Sequence, residues 1–165
     1  MKLIQGMTLS GFRLLSRILT FPRPVIAACT GHGIALGTFL LCCCDYRVGV
    51  KGGYMVGANE MRTNMVIPTP ILELIRFRVA QTHKYRAVLG AEMYNLSEAI
   101  EVGFIDETIV PEKLDERVME KANELSEMGH PSYTMTKELF IKDTHEAIED
   151  YLSKLDPDTE ALKRF

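Results

Sequence analysis

A run of 21 consecutive residues without a charged side chain, residues 24–44, constrains the fold more than any other feature. A run of this length is long enough to cross a bilayer. Pro24, His32 and several glycines interrupt it, however, and such punctuation favours a buried strand joined to a buried helix. We therefore predict a strand over residues 25–29, a helix over residues 36–44, and no membrane span.

The turn between this strand and helix is rich in glycine, and two kinds of site can follow from it. Gly31, Gly33 and Gly37 form a G-x-G-x-x-x-G pattern, which is similar to the glycine-rich fingerprint of nucleotide-binding sites. A dinucleotide site needs a longer helix and an acidic residue about 20 residues further on, and Asp45 comes too early. The other kind uses the unpaired N–H groups of the helix N-terminus to hold negative charge on a substrate oxygen. His32 in the turn is either a general base or a side chain that is packed or hydrogen-bonded in the turn.

Composition narrows the class of protein. The chain of 165 residues is long enough for one domain, and its net charge of −3 offers no basic face for nucleic acid. Cys29 stands alone, and residues 42–44 are three adjacent cysteines, a spacing that suits neither a disulfide framework nor a zinc site. We expect buried, reduced cysteines and a cytoplasmic location.

The rest of the pattern predicts a mixed α/β N-terminal part and a helical C-terminal part. Helices are predicted over residues 8–19, 71–78, 83–89, 97–103, 112–128, 131–142 and 145–155, and strands over residues 45–50, 54–56 and 104–110.

Glu60 is the candidate for proton chemistry. It follows the predicted strand 54–56 in mostly apolar or neutral surroundings. Two alternatives are open: the carboxylate is solvated on a loop, or it is held in a pocket with a raised pKa.

Three segments together resemble one family. They are PRPVIAACTGHGIALGTFLLCCCDYRVGV, YMVGANEMRTNMVIPTP and LGAEMYNLSEAIEVGFIDETIVPEKL. In this order they resemble the oxyanion-hole, catalytic-glutamate and downstream segments of the crotonase, or enoyl-CoA hydratase/isomerase, superfamily. The resemblance implies an α/β fold: the C-terminal portion of a ββα spiral over residues 1–110, then a helical oligomerisation region over residues 111–165.

The resemblance also implies site residues. Glu60 matches the position of a catalytic glutamate in the family. The backbone N–H of Leu36 matches the position of a donor to the oxyanion. Gly33, Gly37 and Phe39 are expected in the substrate pocket, with no metal and no cofactor beyond the coenzyme A of an acyl-CoA substrate. Phe39 stands where hydratases carry a second glutamate, which favours an isomerase that works with one base.

Other outcomes remain open. The alternatives are a hydratase-like enzyme and a truncated, non-catalytic subunit, because family members are longer and their N-terminal half has no counterpart here. A half spiral would expose an edge and an apolar face. The family resemblance implies a homo-oligomer, either a trimer or a hexamer.

Overall fold

The computed structural model describes residues 2–155, with side chains from residue 6 onward. Its regular elements are, in chain order, α1 (Lys2–Leu19), β1 (Ile26–Cys29), β2 (Gly33–Ile34), α2 (Leu36–Cys43), β3 (Tyr46–Val50), β4 (Met55–Gly57), α3 (Thr69–Arg78), α4 (Lys84–Val88), β5 (Tyr94–Asn95), α5 (Glu98–Val102), β6 (Glu107–Ile109), α6 (Leu114–Ser126) and α7 (His130–Leu155).

The strands form two three-stranded sheets. In the first, β1, β3 and β6 lie parallel in that order, with Ala28 opposite Val48 and Val48 opposite Glu107. In the second, β2 pairs in parallel with β4, and β4 pairs antiparallel with β5. The chain thus adds β1 to the first sheet and β2 to the second, forms α2, and then adds β3 and β4 to the two sheets in the same order. This repeat of two strands and a helix is the arrangement of a ββα spiral.

Helix α2 follows from its composition. Its eight residues are almost all apolar, and the side chains of Phe39, Leu41, Cys42 and Cys43 are buried. A helix that is apolar on all sides must be covered on all sides. Helices α1 and α3 supply that cover.

Helix α7 closes the core over the other helices. Ile141, Ile148 and Leu152 are buried on one of its faces, which packs against α1 and α3. Two contacts join α7 to α1: Ser16 Oγ donates to Glu149 Oε1 at 2.7 Å, and the Phe12 and Tyr151 rings meet edge to face at 5.5 Å.

The structure corrects part of the predicted pattern. The two helices expected over residues 131–142 and 145–155 are one continuous helix, α7. The strand expected over residues 104–110 is shorter, because Phe104 and Ile105 are buried and donate their backbone N–H groups to Ala99 O. The two-residue strands β2 and β5 were not predicted.

Other predicted elements agree with the structure. The strand at residues 25–29, the helix at 36–44 and the helix at 112–128 are confirmed to within two residues at each end. No helix within residues 2–155 has the length and apolar character that crossing a membrane requires.

Candidate active site

The N-terminus of α2 is held in an unusual backbone conformation. Ala35, the residue before the helix, has φ 52° and ψ −118°, a conformation that side-chain-bearing residues seldom adopt. Its N–H donates to Gly57 O at 3.1 Å, and its carbonyl accepts from Phe39 N at 3.1 Å. Leu36 is the first helical residue, so its N–H has no carbonyl of a preceding turn to bond.

Thr38 ties this helix start to the second sheet. Its side chain is fully buried, and its hydroxyl lies within hydrogen-bond distance of three backbone groups. It accepts a hydrogen bond from Gly57 N at 3.0 Å. The carbonyls of Gly33 and Gly57 are both within reach as acceptors for its single proton. The hydroxyl therefore fixes the helix start relative to both β2 and β4.

Glu60 begins a 3₁₀ turn, Glu60–Thr63, which two connecting residues separate from the end of β4. The residue is only 7% exposed, and among the described residues its buried Oε2 atom has no hydrogen-bond partner. Burial raises the pKa of the Glu60 carboxyl, an effect that its own backbone N–H partly offsets. Of the two alternatives open from the sequence, the structure shows the buried carboxylate.

The loop that carries Glu60 is tied down at several points. Glu60 O accepts from Met65 N and from Thr63 Oγ1, both at 2.9 Å. Asn64 ends the turn in the left-handed conformation, with φ 58°. Arg62 Nε donates to Ala91 O at 2.7 Å. These bonds hold the Glu60 backbone in place, so the carboxylate is presented from a fixed support.

A cleft of about 370 Å³ is lined by both the start of α2 and the Glu60 turn. This volume is near the lower end of the range for small-molecule sites, roughly 300–1,000 Å³. Its lining comes from α1, the start of α2, the Glu60 turn and the segment leading into α3: Met7, Thr8, Gly11, Phe12, Ala35, Leu36, Phe39, Glu60, Met65, Val66, Pro68 and Ile71.

The cleft has a buried floor and an exposed apolar rim. Phe12, Phe39 and Ile71 are buried, and they line the cleft together with Glu60. Leu36 and Val66 lie on the rim, where Val66 is 88% exposed. Exposed apolar rims mark binding surfaces for apolar ligands or partners.

The structure brings together three of the five predicted site residues. Leu36, Phe39 and Glu60 line the same cleft. Gly33 and Gly37 are not among the lining residues, and their assignment to a substrate pocket stays a prediction. Gly33 has a packing reason to be glycine, since a Cβ there would lie 2.8 Å from the Leu41 side chain.

His32 is part of the turn structure. Its Nδ1 accepts from Met55 N at 3.0 Å, and its ring meets Tyr54 edge to face at 5.5 Å. Of the two alternatives for this residue, these contacts match the side chain that is packed or hydrogen-bonded in the turn.

Charged side chains hold the opposite end of α2. Arg78 donates from Nε to Cys42 O and from its terminal nitrogen to Cys44 O, both at 2.8 Å. Lys137 from α7 pairs with Asp45 at 2.6 Å, and both side chains are largely shielded from solvent. This end of α2 is therefore anchored by its carbonyls and by an ion pair between distant parts of the chain.

The cysteines have no redox arrangement. All four are free and buried. Burial raises the pKa of Cys42 to about 12 and that of Cys44 to about 11, so these thiols stay protonated at neutral pH. The expected burial of the cysteines is confirmed.

Sequence reasoning missed the wall that α1 contributes to the cleft. The amphipathic pattern of residues 8–19 predicts a buried face but not what that face meets. The one available signal was Gly11, a glycine inside a helical pattern, which calls for a packing or functional reason.

Comparisons with known proteins agree on one family. The enoyl-CoA hydratase/isomerase family model matches residues 4–158. The solved structure of a Mycobacterium tuberculosis enoyl-CoA isomerase is 35% identical, with a TM-score of 0.87 over 92% of this chain and 67% of that one. An enoyl-CoA hydratase from Mycobacterium marinum is 34% identical, with a TM-score of 0.88 over 93% of this chain and 68% of that one.

A curated relative from Thermus thermophilus, assigned as an enoyl-CoA hydratase, is 27% identical over 143 residues. The match covers 87% of this chain and 56% of that protein. The chain thus spans little more than half the length of this relative.

Proposed function

The chain belongs to the enoyl-CoA hydratase/isomerase family, and from this premise we propose that it moves a double bond in an acyl-CoA thioester from the 3- to the 2-position. Family membership and the structural neighbours confirm the predicted crotonase-like α/β fold. The relatives carry the names of both hydratases and isomerases, so the choice of reaction depends on the site.

The observation that carries this choice is the single carboxylate of the cleft. Among the lining residues Glu60 is the only acid, and its Oε2 has no partner within the described residues. Phe39, whose side chain cannot exchange a proton, forms part of the floor. Adding water across a conjugated thioester suits two carboxyl groups, whereas shifting a double bond needs one base.

The proposed reaction conserves every atom of the substrate. The Glu60 carboxylate removes a proton from C2. The electrons of that C–H bond form a C1–C2 double bond while the carbonyl π electrons move to the thioester oxygen, giving a dienolate that is conjugated with the C3–C4 double bond. The protonated carboxyl then returns the same proton at C4, and the C3–C4 double bond becomes a C2–C3 double bond. No cofactor is needed beyond the coenzyme A moiety of the substrate.

Two features of the site suit these steps. Burial raises the pKa of Glu60 from its ordinary value. The raised pKa is closer to neutral pH, where a carboxyl group can both accept a proton and return it. The N–H of Leu36 is free of intrahelical bonding at the start of α2 and can donate to the thioester oxygen as charge develops.

The test is turnover of a 3-enoyl-CoA by the full chain. Glu60→Gln keeps the shape of the side chain but removes the base, and we expect its rate to fall by about 10²–10⁴-fold. Glu101→Gln, at an exposed glutamate on α5, serves as the matched control. Wild-type turnover in Glu60→Gln would contradict the mechanism, and hydration of a 2-enoyl-CoA at a higher rate would favour the hydratase.

A non-catalytic subunit is the second candidate, and the exposed rim of the cleft favours it. An apolar rim with a residue as exposed as Val66 suits contact with another polypeptide as well as with a ligand. This candidate predicts no turnover and no acyl-CoA binding by the chain alone, with stable assembly onto a longer family member.

We also propose that the chain forms a homo-oligomer, a trimer or hexamer. Leu139 and Phe140 on α7 are largely exposed although they are large and apolar. Size-exclusion chromatography with light scattering tests this, and a monomer at every concentration would contradict it.

A further inference from the structure

Gly11 lies in the interior of helix α1, as the tenth of its 18 residues, and it lines the cleft. Glycine destabilises a helix interior relative to alanine, because it loses more backbone freedom on folding. Gly11 differs from Gly6, the other glycine of this helix, because it lines the cleft and Gly6 does not.

Neither backbone conformation nor packing against the described residues requires glycine at position 11. Among the described residues, the glycines with positive φ are Gly57 and Gly103, so Gly11 needs no conformation that alanine cannot adopt. Apart from its chain neighbours and the adjacent backbone of α1, a Cβ built on Gly11 would have no heavy atom of the described residues within 4 Å. Gly33 contrasts with it, since a Cβ there would meet a neighbouring side chain. The space beside Gly11 is open, and Gly11 itself lines the cleft.

The chemistry of the cleft limits what can fill that space. The reacting carbons of a thioester must lie at Glu60, and its oxygen at the start of α2. The other side of the cleft is formed by α1, where Phe12 is buried and Met7 is an exposed apolar side chain. Apolar surroundings without a second charged group suit methylene groups beyond the reacting carbons.

We infer that Gly11 is a specificity-determining residue, whose missing side chain leaves room along α1 for the distal methylenes of a medium- or long-chain acyl group. This inference rests on the proposed acyl-CoA site but not on the reaction performed there. A side chain at position 11 would occupy the space that the distal methylenes fill and would leave the region around Glu60 unchanged.

Binding of saturated acyl-CoA thioesters tests this without any turnover. Butanoyl-CoA ends at C4, while dodecanoyl-CoA extends well beyond it, and calorimetry gives the affinity for each. Each buried methylene contributes about fourfold to affinity. Gly11→Leu should displace at least two of them and weaken dodecanoyl-CoA binding by about 15-fold or more. Binding of butanoyl-CoA should change by less than about twofold, which is under one methylene.

Gly6→Leu is the matched control. Gly6 is also inside α1 with open space around it, but it is exposed and does not line the cleft. It should leave both affinities unchanged. Gly11→Ala provides a smaller change that favours the helix, and it should lower the dodecanoyl-CoA affinity by a lesser factor.

Three results would overturn the inference. They are equal losses for both thioesters in Gly11→Leu, the same loss in Gly6→Leu, and a wild-type protein that binds dodecanoyl-CoA no more tightly than butanoyl-CoA. A wild-type chain that binds neither thioester overturns it as well. Failure of the isomerase reaction appears separately, as chain-length-dependent binding without turnover of a 3-enoyl-CoA.

Discussion

Replacing Thr38 separates hydrogen bonding from packing at the start of α2. Thr38→Val keeps the shape of the side chain but removes the hydroxyl that pairs with Gly57 N and with the carbonyl of Gly33. Both groups would then be buried without that partner, at about 1–3 kcal/mol each. We expect Thr38→Val to lower the free energy of unfolding by about 3 kcal/mol, or roughly 6–12 °C in Tm for a chain of this size.

Thr38→Ser makes the opposite change, because it keeps the hydroxyl and removes one methyl group. The loss of a buried methyl should cost about 1 kcal/mol. Urea unfolding followed by circular dichroism measures both variants, and an unchanged m-value shows that the comparison is between like states. If Thr38→Ser is as destabilising as Thr38→Val, the methyl packing and not the hydroxyl holds the helix start, and the argument is wrong.

Three other perturbations have outcomes that follow from the structure. Glu60→Gln should raise the free energy of unfolding at neutral pH. Because the pKa of Glu60 is raised in the folded state, the wild-type protein loses stability as pH rises from the ordinary value of 4.5 through the raised value. Glutamine has no charge to bury and avoids this loss. The gain over wild type should vanish below that window in pH-dependent urea unfolding. Gly103→Ala should destabilise by at least about 2 kcal/mol, because φ is +95° and a Cβ would lie 2.5 Å from Arg78 O. Lys137→Met should cost about 3 kcal/mol, since it leaves Asp45 shielded from solvent without its cation. Thermal and urea unfolding measure the last two.

Controls for these variants lie elsewhere in the chain. Gly53→Ala places a Cβ in open space and should change stability by less than about 0.5 kcal/mol. Lys154→Met breaks an ion pair with the same 2.6 Å distance, but both partners are well exposed, so its cost should be near zero. A Lys154→Met variant as unstable as Lys137→Met would show that burial does not set the cost. A Glu60→Gln variant less stable than wild type at neutral pH would contradict the linkage argument.

The parts of the fold that sequence predicted well are those with strong local patterns. The helix over residues 112–128 shows a clear apolar face, and the 25–44 segment combines a strand with glycines and an all-apolar helix. Both appear in the structure close to the predicted bounds. In these segments local preference and tertiary packing favour the same structure.

The sequence predicts two helices, over residues 131–142 and 145–155, where the structure has the single helix α7. Thr144 is buried on the same helix as Ile141 and Ile148. A threonine can pack in a helix interface through its methyl group, and nothing local in the sequence shows this. Strands β2 and β5 have two residues each, too short to produce an alternating pattern.

The site was predicted as separate residues, and its geometry depends on pairing between distant strands. Glu60 reaches the start of α2 because β2 and β4 lie side by side, with Ile34 opposite Gly57. That pairing joins residues more than 20 positions apart, and no local pattern encodes it. The family resemblance supplied the link between Glu60 and Leu36, and the α1 wall of the cleft lay outside the quoted segments.

The contact between α1 and α7 has a consequence for how the chain is made. Ser16 and Glu149, which share a hydrogen bond, are 133 positions apart. At about 5–20 residues per second, a ribosome needs on the order of ten seconds to add that length. During this interval the face of α1 that carries Phe12 and Ser16 is without the helix that later packs against it. Newly synthesised chains should therefore depend on chaperones until the C-terminal helix emerges.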